Sequence, residues 1–166
     1  DFYRYLLDGI RDKGFVVMTY SQYGGHPGLS ATNYYRHWPW KMWWMGFNGI
    51  TFWHSWEIGN NACGKQNIGW EGWREGIEDV QYMYMLKDAL ADVEKSGAPA
   101  ADVERVRSTL AQATQLGVRP AEWWRNDPIE AHESMMQARR LCVAEILRLV
   151  QDKRLPPDWR YLAPAP

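Results

Sequence analysis

Two short apolar runs, separated by one helical stretch, constrain the fold of this chain more than any other feature. The runs cover residues 15–20 and residues 49–53. Each run is nearly continuous in apolar character, which is typical of a strand buried on both faces. Two strands joined through a helix predict a parallel βαβ unit. Because two strands alone do not make a stable sheet, further strands are expected from upstream chain or from a partner.

The remaining pattern is helical. Helices are predicted over residues 1–13, 34–45, 70–95, about 103–117 and about 127–153. The helix over residues 70–95 has apolar side chains at three- and four-residue spacing, which predict one buried stripe made of Trp70, Trp73, Ile77, Val80 and Tyr84. We therefore divide the chain into residues 1–95, which carry the βαβ unit, and residues 96–166, a helical C-terminal extension.

Composition excludes several classes of protein. The 166 residues include 19 basic and 20 acidic side chains, so charge gives no case for nucleic acid or for an anionic membrane. No apolar run is long enough to span a membrane. Cys63 and Cys142 match neither a disulfide framework nor a zinc spacing. The spacings of His26, His37 and His54 match no standard zinc pattern either, so we expect no metal site, and we assign no cofactor.

Tryptophan is the unusual component. The chain has 11 tryptophans, and eight of them fall between Trp38 and Trp73. One interpretation is a large aromatic core. The other is a surface for sugars, because flat aromatic faces complement the apolar C–H faces of pyranose rings.

Three motifs occur in a fixed order. They read YRHWPW at residues 35–40, GFNGITFW at residues 46–53 and WREGIEDVQYM at residues 73–83. This series resembles the C-terminal end of the catalytic barrel in glycoside hydrolase family 123 and in related barrel domains of uncharacterised function. The resemblance implies an α/β fold. It would be the C-terminal portion of a (β/α)8 TIM-like barrel, namely its last two strands and closing helix, followed by a helical extension.

The resemblance also implies an activity. Members of this family are similar to retaining enzymes that act on N-acetylated galactosamine glycosides. In those enzymes the substrate's acetamido group attacks, and an adjacent Asp-Glu pair orients it and supplies the acid. No Asp-Glu dipeptide occurs in this sequence. We therefore assign no catalytic residue here, expect the acidic pair upstream in the full-length protein, and expect the isolated chain to be inactive.

A non-catalytic role remains the alternative. A carbohydrate-binding or structural protein of the cell envelope could use the same scaffold, because one fold hosts many functions. For the full-length protein, an enzyme that hydrolyses O-glycosyl bonds is favoured over this alternative. Family analogy favours a secreted or cell-envelope location.

Candidate carbohydrate contacts follow the two predicted strands, because loops after parallel strands form the functional face of a barrel. The candidates are Tyr20, Tyr23, His26, Trp53, His54, Trp56 and Glu57. Packing is the alternative for both tryptophans, and a structural role is the alternative for His54. The glycines near His26 fit a tight turn as well as a close approach by ligand. Glu57 alone cannot supply the two carboxyl groups that glycoside hydrolysis usually needs.

Charged residues of the third motif favour a structural role. Arg74 and Glu78 are four residues apart and can pair on one helix face. Together with Glu75 and Asp79 they predict a charge network that ties this helix to neighbouring loops. Arg36 and Trp40, also four apart, are candidates for a structural cation–π pair.

Overall fold

A computed structural model describes residues 9–10, 13, 15, 17–22, 31–47, 49–53, 68–118, 128–157 and 159. Its elements in chain order are β1 (Met18–Gln22), α1 (Ala31–Met45), β2 (Gly49–Trp53), α2 (Ile68–Lys95), α3 (Ala100–Gly117) and α4 (Pro128–Gln151). Among these residues, no helix is long and apolar enough to cross a membrane.

The predicted fold class is wrong. Four helices carry most of the described residues, and their packing forms an all-helical fold instead of a portion of a (β/α)8 barrel. In the described part of the chain, β1 and β2 pair only with each other, so no barrel wall is built. The physical reason is that the helices bury their apolar faces against one another. The core therefore does not depend on a sheet.

The prediction that the two runs pair in parallel is confirmed. The register joins Met18 to Gly49 at one end and Gln22 to Trp53 at the other. The second strand has the predicted bounds, whereas the first begins three residues later than predicted and ends two residues later. Phe15 is 63% exposed and Met18 is 59% exposed, so the start of the first run is not the buried strand we expected.

The helices lie close to their predicted positions. Met45 ends α1, and Pro39 lies inside that helix. Lys95 ends α2, which begins two residues before Trp70. Gly117 ends α3, and α4 begins at Pro128, one residue after its predicted start near residue 127. Of the helix predicted over residues 1–13, only residues 9 and 10 are described as helical, and most of the rest lies outside the described residues.

One apolar core joins the helices. Its fully buried members come from each of them, including Trp40 on α1, Met83 on α2, Val106 on α3 and Met135 on α4. Trp159, beyond α4, packs on the same core and donates a hydrogen bond from Nε1 to Asp92 on α2 at 2.8 Å. Residues on both sides of the predicted boundary between residues 95 and 96 contribute to this core. The division of the chain into two parts at that boundary stays a prediction.

The buried face of α2 is not the predicted stripe. Trp70 and Tyr84 are 43% and 40% exposed. Burial instead follows a neighbouring line of residues, each one position earlier than a member of the predicted stripe: Gly72, Gly76, Asp79 and Met83. Successive residues of an α-helix are rotated by about 100° around its axis, so a shift of one position turns a different face toward the neighbouring helices. That face has two glycines and the charged side chain of Asp79.

Close packing explains why glycines belong on this face. A Cβ atom on Gly76 would lie 2.5 Å from the carbonyl oxygen of Arg36 and 3.0 Å from Cγ of Pro39. On α3, a Cβ atom on Gly117 would overlap the ring of Trp40. Both glycines therefore let α1 approach its neighbours more closely than any other residue would allow.

Candidate functional site

The two strands end at the same edge of their pair. Because Gln22 pairs with Trp53 in a parallel register, the segments that follow both strands leave from that edge. Tyr20 lies opposite Thr51, two residues before the end of β1. The backbone thus brings together the starting points of both segments that carry the candidate carbohydrate contacts.

Most of the candidate contacts lie outside the described residues. This holds for Tyr23, His26, His54, Trp56 and Glu57. For Tyr20 and Trp53 only the backbone is described. Their roles as sugar contacts therefore stay predictions.

A buried ion cluster is the most developed polar site in the described residues. Asp79 on α2 is fully buried and binds Arg36 on α1 through both carboxylate oxygens, at 2.7 Å from Nε and 3.1 Å from Nη2. Trp40 donates from Nε1 to Oδ2 at 3.1 Å, and Arg139 on α4 donates from Nε to Oδ1 at 2.5 Å. We call these four residues, together with Glu75, the Asp79 cluster.

Glu75 extends the cluster toward the surface. Its Oε2 accepts from Nη2 of Arg139 at 2.7 Å, and its backbone oxygen accepts from the same nitrogen at 3.1 Å. Burial acts to raise the pKa of Glu75. The charge and hydrogen bond of Arg139, together with the charges of Arg36 and Arg74, outweigh burial, so the pKa lies below its ordinary value. For Arg139, burial acts to lower the pKa, while Asp79 and Glu75 raise it above its ordinary value. Both groups are thereby held in their charged forms.

The cluster leaves no spare carboxylate oxygen on Asp79 for chemistry. Each oxygen of Asp79 already accepts two hydrogen bonds, which matches the usual capacity of a carboxylate oxygen. The cluster joins α1, α2 and α4, so it fixes the relative positions of three helices. The predicted charge network is thus present, with helices instead of loops as its partners.

The predicted surface pair of Arg74 and Glu78 in the same motif is present. Arg74 pairs with Glu78 one turn later and with Glu71 one turn earlier, at 2.9 Å in the second case. Arg36 and Trp40 were predicted to stack on each other. What joins them in the structure is Asp79, to which both donate.

His37 is a buried histidine next to Arg36 in sequence. Burial, with a smaller contribution from the charge of Lys41, lowers the pKa of His37 to about 4. The imidazole is therefore neutral at physiological pH.

Among the described residues, no group of histidine, cysteine and acidic side chains could hold a metal ion.

Cys142 is a buried thiol of low reactivity. Its Sγ lies 3.3 Å from Sδ of Met83 inside the core. Burial, with a smaller contribution from the charge of Asp79, raises the pKa of Cys142 to about 12. Since the thiolate is the reactive species, this side chain serves packing.

An apolar pocket of about 280 Å³ lies between the strand pair and the helices α1 and α2. Its walls include Trp43 and Tyr84, whose rings meet edge to face with centroids 4.6 Å apart. Ile77 and Val80, from the predicted stripe of α2, also line it. The half-exposed aromatic face of α2 therefore borders a cavity instead of the core.

Sequence reasoning missed Arg139, a member of the Asp79 cluster, and His132, whose Nδ1 lies 3.3 Å from Nη1 of Arg36. Both residues lie on α4, and nothing in their local sequence indicates that they contact residues far along the chain. The contact between Arg139 and Asp79 spans 60 residues. A pattern that repeats every three or four residues carries no signal of such a pair.

In comparisons with known proteins, no family model, no curated protein and no solved structure matches this chain. The resemblance to glycoside hydrolase family 123 therefore stays a prediction carried by the three motifs.

Proposed function

We propose that this chain binds carbohydrate at the edge where β1 and β2 end, as part of a glycoside hydrolase that acts on N-acetylhexosaminides. The observation that carries the proposal is the pairing of Gln22 with Trp53. Ligands commonly bind at the carboxyl ends of parallel strands, because loops that leave one edge can converge on one molecule. The sequence that follows both strands carries aromatic and hydroxyl side chains suited to sugars.

Hydrolysis itself rests on the motif resemblance. Retaining hydrolysis of this kind needs an Asp-Glu pair, and this sequence contains none. The carboxylates of Glu75, Glu78 and Asp79 are all bound to arginines. In this proposal the catalytic acids come from outside the 166 residues, and this chain supplies substrate contacts.

The ion pairs of these carboxylates also favour a second candidate function, which is non-catalytic binding of carbohydrate. A binding protein needs aromatic faces and hydrogen-bonding groups but no free acid. The two functions share the same edge and differ only in whether a bond is broken.

The test of binding uses paired tryptophan substitutions. Oligosaccharides of N-acetylgalactosamine are titrated against the protein that contains this chain, with binding followed by calorimetry. Trp53→Ala combined with Trp56→Ala should weaken binding about tenfold or more, since each aromatic contact contributes roughly 1 kcal/mol. The matched control combines Trp44→Ala with Trp70→Ala, two exposed tryptophans on helices. Equal affinity of a folded Trp53/Trp56 variant and the wild type would contradict the proposal.

The test of hydrolysis uses an aryl N-acetylgalactosaminide. The protein that contains this chain should release the aryl group, whereas the isolated 166 residues should not. Release by the isolated chain would show that the catalytic acids lie within it. Binding without release by the whole protein would favour the non-catalytic function.

A further inference from the structure

The apolar pocket lies at the end of the strand pair where both strands begin. Met18 and Gly49 are the first residues of β1 and β2, they pair with each other, and both line the pocket. The candidate carbohydrate edge is the opposite end, where Gln22 pairs with Trp53. Four residue steps of about 3.3 Å separate the two ends, which is roughly 13 Å along the strands. The pocket is therefore distinct from that edge, and its occupancy does not depend on carbohydrate binding.

Two aromatic rings form a corner in the wall of the pocket. The rings of Trp43 and Tyr84 have centroids 4.6 Å apart, and their planes are inclined by 86°. The corner presents a ring face and a ring edge, and a third aromatic ring packs favourably against either. Ile77 and Val80 supply aliphatic walls beside it. The volume of about 280 Å³ is near the lower limit for ligand pockets, so the pocket suits a small aromatic molecule.

A lysine beside the same corner carries an uncompensated positive charge. Lys87 is exposed and lies one turn after Tyr84 on α2, with its Nζ 5.9 Å from the centroid of the Trp43 ring. Among the described residues, no carboxylate forms an ion pair with it. The residues three and four positions away along α2, where a helical partner would lie, are all uncharged. Because a lysine side chain is long and flexible, its ammonium can reach an anion that lies against Trp43.

A side-chain amide adds a hydrogen-bond donor to this part of the pocket. Gln81 lines the pocket and is exposed, and its amide makes no hydrogen bond with another described residue. Gln81, Tyr84 and Lys87 follow one another at three-residue spacing, so each is next to the following one on the surface of α2. An amide nitrogen and an ammonium both donate to an oxygen that carries negative charge. Donors thus lie beside the aromatic corner.

We propose that this pocket binds a small aromatic carboxylate. Its ring lies in the corner formed by Trp43 and Tyr84, and its carboxylate accepts from Lys87 and Gln81. A neutral aromatic molecule would leave the charge of Lys87 uncompensated. A sugar would bury several hydroxyl groups against apolar walls that cannot hydrogen-bond them, which costs free energy. The charge and the shape of the pocket therefore select the same class of ligand.

Calorimetric titration with cinnamate and its neutral analogue cinnamamide tests the role of charge. Both probes are titrated into the protein that contains this chain. Cinnamate should bind about fivefold more tightly, which is the size expected of an ion pair with an exposed lysine. In Lys87→Met this preference should disappear, while the affinity for cinnamamide stays unchanged. The matched control is Lys95→Met, an exposed lysine in the last turn of the same helix, which should keep the preference.

Two substitutions in the wall test where the probes bind. Val80→Trp fills the pocket and Tyr84→Ala removes half of the aromatic corner, so each should weaken both probes about tenfold or more. Tyr84 is 40% exposed, so the fold should survive its truncation, and thermal melting followed by circular dichroism checks both variants. Unchanged affinity in a folded Tyr84→Ala variant would overturn the proposal.

Three further results would also overturn the proposal. The first is failure of the wild type to bind cinnamate, which would mean that another part of the protein or a second copy fills the pocket. The second is equal affinity of the wild type for cinnamate and cinnamamide. The third is binding of octanoate, which has the charge but no ring, as tightly as cinnamate.

Discussion

Two neighbouring faces of α2 are buried to very different extents. One face carries Trp73, Ile77, Val80 and Tyr84, which are half-buried or exposed. The other carries Gly72, Gly76, Asp79 and Met83, and all four are buried. The two lines are offset by one residue along the same helix, so they point about 100° apart around its axis.

The difference teaches that close approach and charge compensation decide which face is buried. Gly76 lets the backbone of α1 come near, which a tryptophan would prevent. Once α1 and α4 are near, Arg36 and Arg139 can neutralise Asp79. The aromatic face is too bulky for such an approach, and part of it borders the pocket beside the strand pair.

The largest expected effect comes from removing the charge at the centre of the buried face. Asp79→Ala leaves Arg36 buried without its partner and Arg139 without its closest one. Losing one partner of a buried ion pair costs about 3–5 kcal/mol in the free energy of unfolding. Urea denaturation of wild type and variant, followed by circular dichroism, measures the difference.

The matched control for this substitution is the adjacent carboxylate. Glu78 binds the exposed Arg74, its Oε2 lies 3.8 Å from Nη2 of Arg139, and its side chain is 38% exposed. Glu78→Ala should therefore lower the free energy of unfolding by no more than about 1 kcal/mol. Equal effects of the two substitutions would mean that the buried face of α2 is not held by the Asp79 cluster.

A smaller effect is expected from one added methyl group on the same face. Gly76→Ala should destabilise the protein by about 1–3 kcal/mol, because the new Cβ meets the backbone of α1 and cannot be accommodated by a side-chain rotation. Helix propensity alone predicts the opposite sign, since alanine favours a helix by roughly 1 kcal/mol over glycine. Thermal or urea unfolding of the variant measures which contribution dominates.

The control for helix propensity exchanges the same two residues at an exposed position. Ala91 lies on α2 and faces solvent. Ala91→Gly should cost about 1 kcal/mol, in line with propensity alone. If Gly76→Ala is stabilising by a similar amount, the close approach of α1 at Gly76 is not what buries this face.

The helices and β2 could be predicted because their signals are local. The apolar run of β2, for example, lies within the strand that it defines. The parallel pairing follows from the order of strand, helix and strand along the chain. The barrel could not be predicted correctly, because two apolar runs do not reveal how many strands join them. The helices after residue 95 contribute Val106, Met135 and Ile146 to the core that α2 shares, and this packing produces an all-helical fold.

Parts of the polar site were predictable for the same reason. Arg74 and Glu78 are four residues apart, so helical periodicity places them together. Arg139 joins Asp79 only after α4 has packed on α2, and local sequence carries no trace of that contact. The buried stripe of α2 was misplaced by one residue because apolarity was weighed without the size of the side chains.

The smallest expected effect concerns a buried group that is neutral. His37 lies beside Arg36 in sequence and is 6% exposed, and its pKa is lowered to about 4 by burial and by Lys41. In the unfolded chain the imidazole has an ordinary pKa near 6.5. Between these two values the unfolded state binds more protons, so stability is greatest above about pH 6.5 and falls as the pH drops toward 4.

This linkage predicts a loss of about 1 kcal/mol in the free energy of unfolding between about pH 7.5 and about pH 5.5, attributable to His37 alone. Urea unfolding of wild type and His37→Gln at both pH values isolates it, since every other titrating group is common to the two proteins. His37→Gln should lose less stability in acid than the wild type by that amount. Lys41→Gln removes the smaller cause of the pKa shift, so the stability that this variant loses in acid should lie between the losses of the wild type and of His37→Gln.

If His37→Gln and the wild type lose equal stability, His37 is accessible to protons in the folded state. The environment of α1 beside the Asp79 cluster would then be wetter than its burial implies.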